Sequence, residues 1–207
     1  MADLPITKIA CSPKHQARIR DAVRSAIEIP FGLFPGRLAK PSDAAAFLDF
    51  LSDPEIHRPI YNLPRPLTEE SVRAFIEQKL AEQERGEGLL FLRIKDADEV
   101  VGYMDFDIWP EWGAGDLGGA LRRDQQGQRA GVSGAQQAFT WMFETLLLER
   151  IVATGALDNI RTARMMDGLG LQRMGEILSQ RPEGGTRPSL VWEVTRVDWF
   201  AQHGDAD

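Results

Sequence analysis

The segment 127–132, which contains Gly127 and Gly131 and is called the glycine turn below, has the composition of an anion site. The turn follows a short apolar run at 117–121 and precedes apolar residues at helical spacing, Val132, Ala135, Phe139, Met142, Phe143 and Leu146. A helix is therefore expected to begin near Ala130. Backbone N–H groups at a helix N-terminus have no intrahelical partner and carry the positive end of the helix dipole, so the turn could hold a phosphate. The pattern also fits a strand-to-helix joint that binds nothing, because glycines mark many such turns.

Other constellations with catalytic potential are weak. His15, His57 and His203 lie far apart, and none stands near a serine or cysteine in a triad-like pattern. The single cysteine, Cys11, has no metal-ligand spacing and cannot form an internal disulfide. The sequence therefore predicts no metal site and no nucleophile relay, and it favours a reducing compartment, the cytoplasm.

Composition restricts the class of protein. A chain of 207 residues with 43% hydrophobic and 27% charged residues suits one soluble domain, or one domain with a short appendage. Its net charge of −7 argues against general nucleic-acid binding and against an anionic membrane surface. No apolar run approaches the ~20 residues that a membrane span needs, so no membrane partner is expected.

Hydrophobic periodicity predicts a mixed α+β fold in one domain. Before that domain, Ser12 and Pro13 begin a helix with one apolar face, Pro30 closes it, and 31–36 is an apolar linker. The remaining elements are a strand at 37–40, a helix after Ser42, a loop at 55–66, a helix after Thr68, a hairpin at 89–94 and 100–108, the strand at 117–121, the helix from Ala130, a strand at 150–155, a helix at 159–169, and strands at 171–179 and 189–196.

This order of elements, together with the glycine turn, resembles the GNAT superfamily of N-acetyltransferases, and within it the ribosomal-protein N-terminal (alanine/serine) acetyltransferase branch. That branch has Asn-x-x-Ser-x-Arg followed six residues later by Gly-Phe, and Asn159, Thr162, Arg164, Gly170 and Leu171 fall at those positions. The resemblance covers roughly residues 36–200, including a final strand with a closing tryptophan. It implies a GNAT-like acyl-CoA N-acyltransferase fold, with a central mixed, mostly antiparallel sheet flanked by helices. The division expected is a helical extension at 1–35, the acetyltransferase domain at 36–200 and a flexible tail at 201–207.

The resemblance implies that the glycine turn binds the pyrophosphate of acetyl-CoA, the expected cosubstrate. The family motif is Gln/Arg-x-x-Gly-x-Gly/Ala, and Arg129 stands where a small residue usually lets the pyrophosphate approach. Its guanidinium either points outward and adds a contact to a phosphate, or fills the groove and prevents binding. Retained binding is favoured because the turn is polar and flanked by Arg122 and Arg123. The predicted cofactor-binding residues are Leu121, Gln126, Gly127, Gln128, Arg129, Ala130, Gly131 and Asn159.

The implied reaction is direct transfer of acetyl from acetyl-CoA to a primary amine. The backbone at 117–121 would pair with the pantetheine arm, and amides near Leu121 would polarise the thioester carbonyl. Thr162 stands where the branch has a serine near the leaving thiolate, so its hydroxyl could donate to sulfur, while Asn159 would hold a cofactor amide. The alternative is that Asn159 is a helix cap and Thr162 a buried helix residue.

The attacking amine must also lose a proton, which calls for a carboxylate or a water chain near the central strand. Asp116, Asp105 and Asp107 are the candidates, and Asp116 matches an acidic position common in the branch. The predicted catalytic residues are therefore Thr162 and Asp116. The alternative is that these strand carboxylates are simply solvated.

Two classes of function follow. One is an N-acetyltransferase acting on a peptide N-terminus or a small-molecule amine. The other is a degenerate, non-catalytic GNAT-fold binding module, marked by Arg129. The loops at 55–67 and 180–188 would select the acceptor, but their sequences contain no pattern that identifies it. The apolar stripe of the first helix and the linker phenylalanines also predict a homodimer, since such surface must be covered.

Overall fold

The computed structural model describes residues 4–32, 34–60, 62–95, 99–125, 130–180 and 184–204. Within these ranges one sheet contains eight strands, in the spatial order β1-β2-β3-β4-β5-β6-β8-β7. Neighbouring strands are antiparallel except β5 and β6, which run parallel, so the predicted mixed, mostly antiparallel sheet is confirmed. The strands are β1 (Glu28–Ile29), β2 (Gly36–Leu38), β3 (Gly88–Lys95), β4 (Glu99–Trp109), β5 (Ala114–Leu121), β6 (Arg150–Ala156), β7 (Gln172–Gln180) and β8 (Thr186–Thr195).

Helices cover both faces of the sheet and divide the core in two. They are α1 (Pro13–Ser25), α2 (Ala44–Leu51), α3 (Pro54–His57), α4 (Glu69–Arg85), α5 (Ala130–Glu144), α6 (Ile160–Gly168) and α7 (Arg196–His203). Residues of α1 and α5 share one cluster with Phe106 of β4, whereas α2 and α4 share the other with Tyr103. Because side chains alternate along a strand, Asp105 and Asp107 lie on the same face as Tyr103, beneath α4.

Local sequence signals account for the helices next to the sheet centre. The Thr68 hydroxyl accepts the N–H of Ser71 and starts α4, and Gly86 ends it at φ 73° in the left-handed region. Helix α5 begins at Ala130, as predicted. Its inward residues Phe139, Met142 and Phe143, and Leu146 just after its end, are at most 1% exposed. Each such side chain stabilises the fold by about 1.5–3 kcal/mol through burial.

Several predicted boundaries were wrong. β1 forms at the end of the segment that was predicted to be the first helix, and α3 lies in a segment that was predicted to be loop. A 3₁₀ turn at Pro41–Asp43 precedes α2, so Ser42 does not cap that helix. The predicted final strand is present as β8, but a helix that was not predicted, α7, follows it, because the Thr195 hydroxyl accepts the N–H of Asp198 and Trp199 packs fully buried in the core. Residues 201–203 of the predicted tail therefore belong to a helix, while 205–207 lie outside the described ranges.

Two central residues of the predicted α1 stripe are covered by the chain itself. Ile19 and Val23 are fully buried in the cluster that contains α5 and the sheet. The premise of the homodimer prediction therefore fails for these two residues, and the oligomeric state stays a prediction. Among the described residues, no helix is long and apolar enough to cross a lipid bilayer.

Candidate active site

The central feature of the sheet is a gap between its two parallel strands. β5 pairs with β4 along its whole length, from Trp109 opposite Ala114 to Gly102 opposite Leu121. On its other side β5 pairs with β6 only over Ala114–Asp116, and the last paired residues are Asp116 and Val152. We call this last paired position, Asp116 opposite Val152, the vertex. Beyond it, the edge of residues 117–121 that faces β6 has no strand partner in the described sheet. Such an edge offers backbone N–H and C=O groups to an extended, amide-containing ligand.

Small residues line β5 beyond the vertex. A side chain at Gly119 would place its Cβ 2.4 Å from the carbonyl oxygen of Tyr103, so only glycine fits there. A Cβ at Gly118 would meet nothing nearer than 3.9 Å, because that side of the strand faces open space bounded by Asp105 and Asn62. The Asp105 face of β5 at Gly118 therefore has room for a ligand.

Asp116 lies at the vertex and has a perturbed pKa. Its side chain keeps partial contact with solvent, yet β4, β5 and β6 enclose it. Burial is the largest cause that raises the pKa of Asp116 to about 7, and the carboxylates of Asp107 and Asp105 act in the same direction. The N–H of Leu117 donates to Asp116 Oδ1 at 2.8 Å and opposes the rise. A carboxyl with this pKa exchanges a proton near neutral pH.

An ion cluster centred on the buried Lys79 and Asp105 lies beside Asp116 on the acidic face of β4. Asp107 is directly opposite Asp116 in the strand register. The ammonium of Lys79, from α4, lies 2.7 Å from Asp105 Oδ1, 2.5 Å from Asp107 Oδ1 and 3.0 Å from Glu82 Oε2. Asp105 is 3% exposed, so its interpretation as a solvated strand carboxylate is wrong. Burial is also the main cause that raises the pKa of Asp105 to about 6.

The loop after α3 is held against the same cluster. The Asn62 side-chain amide donates to Asp105 Oδ2 at 2.8 Å. From the other side, the Arg187 guanidinium donates to the carbonyl oxygen of Pro59 at 3.2 Å, which joins the start of β8 to this loop. The two loops predicted to select the acceptor therefore touch, and one of them reaches the carboxylates.

Across the gap, α6 carries the other two predicted site residues. Asn159 caps the helix, and its side-chain oxygen accepts the N–H of Thr162 at 3.1 Å. The capping role that was the alternative for Asn159 is thus present. Thr162 is half-buried and its methyl faces β6, since a Cβ at Gly155 would lie 3.0 Å from Thr162 Cγ2. Gly155 follows Val152 by three residues, so Thr162 lies roughly 10 Å along β6 from the vertex at about 3.3 Å per residue.

The predicted phosphate turn is only partly described. Gln126, Gly127, Gln128 and Arg129 lie outside the described residues, so the effect of Arg129 stays a prediction. The backbone of Ala130 and Gly131 forms the first turn of α5, as the anion-site hypothesis requires. The Arg122 guanidinium donates to Glu99 at 2.8 Å and to the carbonyl oxygen of Val100, and so contacts the start of β4.

Sequence reasoning missed Lys79 and Asn62. The apolar face predicted for the helix after Thr68 ended in Leu80, which is only half-buried, whereas Lys79 is 4% exposed. A lysine at the i+3 position from Ile76, inside an apolar stripe, was the available signal. Asn62 gave no comparable signal, because a loop contact over 43 residues has no local pattern. The described residues contain no group of three side chains suited to a metal ion.

Comparisons with known proteins agree with this geometry. The Acetyltransferase (GNAT) domain family matches residues 37–172, so the chain belongs to the GNAT acetyltransferase family. The chain is therefore an acetyltransferase, an enzyme that transfers acetyl from acetyl-CoA. No curated protein sequence matches the chain significantly.

Solved structures share the fold at low sequence identity. The ribosomal-protein-S5-alanine acetyltransferase of Vibrio fischeri superimposes with a TM-score of 0.67 at 20% identity, over 84% of this chain and 99% of its own. RimL, a ribosomal L7/L12 alpha-N-protein acetyltransferase in complex with coenzyme A, gives 0.69 at 19%, over 81% and 97%. Mycobacterium smegmatis RimJ, in complex with a CoA disulfide, gives 0.66 at 18%, over 80% and 83%. The non-catalytic alternative finds no support among these comparisons.

Proposed function

We propose that this chain acetylates the α-amino group of a peptide N-terminus, with acetyl-CoA bound in the gap between β5 and β6 and Asp116 as the general base. The observation that carries the proposal is the end of parallel pairing at Asp116 and Val152, which leaves an open strand edge beside a carboxyl of raised pKa. Acetyl-CoA supplies the activated acetyl group.

The chain's own residues would perform three tasks. The open edge at 117–121 binds amide groups of the pantetheine arm, and backbone N–H groups towards Leu121 stabilise negative charge on the thioester oxygen. Asp116 accepts the proton that the amine must lose, so that its lone pair is free to attack. The Thr162 hydroxyl donates to the departing sulfur, and Asn159, which keeps α6 capped, orients that helix for the contact.

The pKa of Asp116 favours one type of amine. A peptide α-amino group has a pKa of about 7.7–8.0, whereas a lysine side chain has one of about 10.4. Proton transfer to a carboxylate with a pKa of about 7 is therefore nearly balanced for an α-amine and strongly uphill for an aliphatic ε-amine. The acidic face formed by Asp105, Asp107 and Asp116 would also attract the cationic form of the acceptor. The structural relatives that acetylate ribosomal-protein N-termini support the same class by analogy of fold.

Release of CoA from acetyl-CoA, measured with different amines, tests this proposal. We expect turnover with a peptide that has a free α-amine, and little with an N-terminally blocked lysine peptide or a polyamine. Asp116→Asn should lower kcat by about 100-fold or more, as loss of a general base does, with little change in acetyl-CoA affinity. The matched control is Asp49→Asn, an exposed aspartate on α2. A preference for small polyamines would replace the peptide acceptor, and full activity of Asp116→Asn would reject the base.

We further infer a reducing, cytoplasmic setting, since the only cysteine, Cys11, is half-buried and unpaired. Burial is the main cause that raises the pKa of the Cys11 thiol, which disfavours the reactive thiolate.

A further inference from the structure

Lys79 is the one lysine in the buried stripe of α4, and the acetyl transfer scheme gives it no role. Its ammonium meets carboxylates from two elements, Asp105 and Asp107 on β4 and Glu82 on its own helix. These carboxylates raise the pKa of Lys79, although burial acts against them, so the side chain stays cationic throughout the range in which an enzyme works. A cation so placed is a permanent part of the local electrostatics.

The two aspartates are fixed in position by this contact. Asp105 is held at both oxygens, by Lys79 at Oδ1 and by Asn62 at Oδ2. Asp107 is 49% exposed, and Lys79 is its only described hydrogen-bond donor. Since Asp107 stands opposite Asp116, the position of its carboxylate determines how strongly it repels charge on Asp116.

We propose that Lys79 is a positioning residue for acetyl transfer, which holds Asp107 and Asp105 beside Asp116 and sets the pH at which Asp116 becomes a competent base. The inference rests on the proposed function of Asp116. Lys79 acts through Asp107 and Asp105 and is not itself placed at the reacting atoms.

The charges that face Asp116 act in opposite directions. Asp107 and Asp105 favour its protonated form, whereas Lys79 and the N–H of Leu117 favour its ionised form. The remaining charged group that acts on Asp105 is Glu82, and the buried hydroxyl of Tyr103 is influenced by Asp105, Arg65 and Lys79. The proposal therefore predicts opposite shifts for opposite substitutions. Removal of the cation raises the pH midpoint of catalysis, and removal of a carboxylate lowers it.

The test is the pH dependence of kcat for Lys79→Met, Lys79→Arg and Asp105→Asn, together with a carbon-13 NMR titration of the Asp116 carboxyl. Lys79→Met should move both midpoints up by about one pH unit, the lower end of what a nearby charge produces. Asp105→Asn should move both down, and Lys79→Arg should restore the wild-type midpoints. A side chain with only a structural role would lower stability without moving a midpoint, so equal midpoints in all variants would overturn the proposal.

A second variant is needed because Lys79→Met leaves the carboxylates of Asp105 and Glu82 without their cation. Loss of one partner of a buried ion pair strongly destabilises a protein, so the test needs a variant in which the charges remain balanced. The double variant Lys79→Met/Asp105→Asn removes one charge of each sign, and Asn62 can still donate to the new amide oxygen. Its midpoint should lie above that of Asp105→Asn alone; a midpoint at or below it would overturn the proposal.

The NMR readout separates this inference from the proposed function. If Asp116→Asn remained active, Asp116 would not be the base, and the pH profile would no longer report on it. Unmoved Asp116 titrations in the Lys79 variants, with Asp116→Asn inactive, would instead reject Lys79 alone.

Discussion

Replacing Asp116 with asparagine should stabilise the protein while it removes activity. An unfolded aspartate has an ordinary pKa of 3.8, and the folded environment raises that of Asp116 to about 7. The folded state therefore binds the proton more tightly, so the contribution of Asp116 to stability falls as pH rises from about 4 to 7. The shift of about three units corresponds to about 4 kcal/mol at pH 8, and to about 2 kcal/mol at pH 5, where the folded carboxyl is still protonated. Both figures are upper limits because Asp116 keeps partial contact with solvent.

Asparagine has the same shape and can still accept the N–H of Leu117, but it carries no charge to bury. We expect Asp116→Asn to unfold at higher urea than the wild type at pH 8, with a smaller gain at pH 5, when free energies of unfolding are compared by equilibrium denaturation. Asp49→Asn, at an exposed site on α2, should show no such pH-dependent gain. A loss of stability at pH 8, or an equal change at both pH values, would refute the reasoning that Asp116 is destabilised by its charge.

Three further predictions concern residues of the cosubstrate site and the assembly. Thr162→Val keeps the methyl group against Gly155 but removes the hydroxyl, so kcat should fall about tenfold or more while acetyl-CoA affinity, measured by calorimetry, hardly changes; unchanged turnover would reject its role. Arg129→Gly should weaken acetyl-CoA binding, because the guanidinium is predicted to contact a phosphate; binding seen only in Arg129→Gly would show instead that Arg129 fills the cofactor groove. Light scattering should give twice the mass of one 23.1 kDa chain for the predicted homodimer, and a single-chain mass would dismiss it.

The order of the central elements could be predicted because their signals are local. The apolar run of β3, the alternation of β4, the cap at Thr68 and the helical spacing from Ala130 each arise within one segment. β1 could not be predicted, since its two residues become a strand only by pairing with β2. The same holds for α7, where the burial of Trp199 depends on its packing against α5.

The candidate site was predictable in residue type but not in arrangement. The sequence shows that Asp105, Asp107 and Asp116 are acidic residues near the central strand, and that much suffices to propose a base. Their grouping depends on the register of β4 against β5, which places Asp107 opposite Asp116. It also depends on α4 crossing that face so that Lys79 reaches it. Both the register and the position of α4 depend on contacts between distant segments, so neither produces a pattern within one segment.

The most direct test of the account is amide hydrogen exchange in the presence of acetyl-CoA. If the open edge of β5 receives the pantetheine arm, exchange in the segment 117–121 should slow at saturating acetyl-CoA. Exchange in β7, at the far edge of the sheet, should stay the same. Unchanged exchange at 117–121, with slowing elsewhere in the chain, would contradict the account.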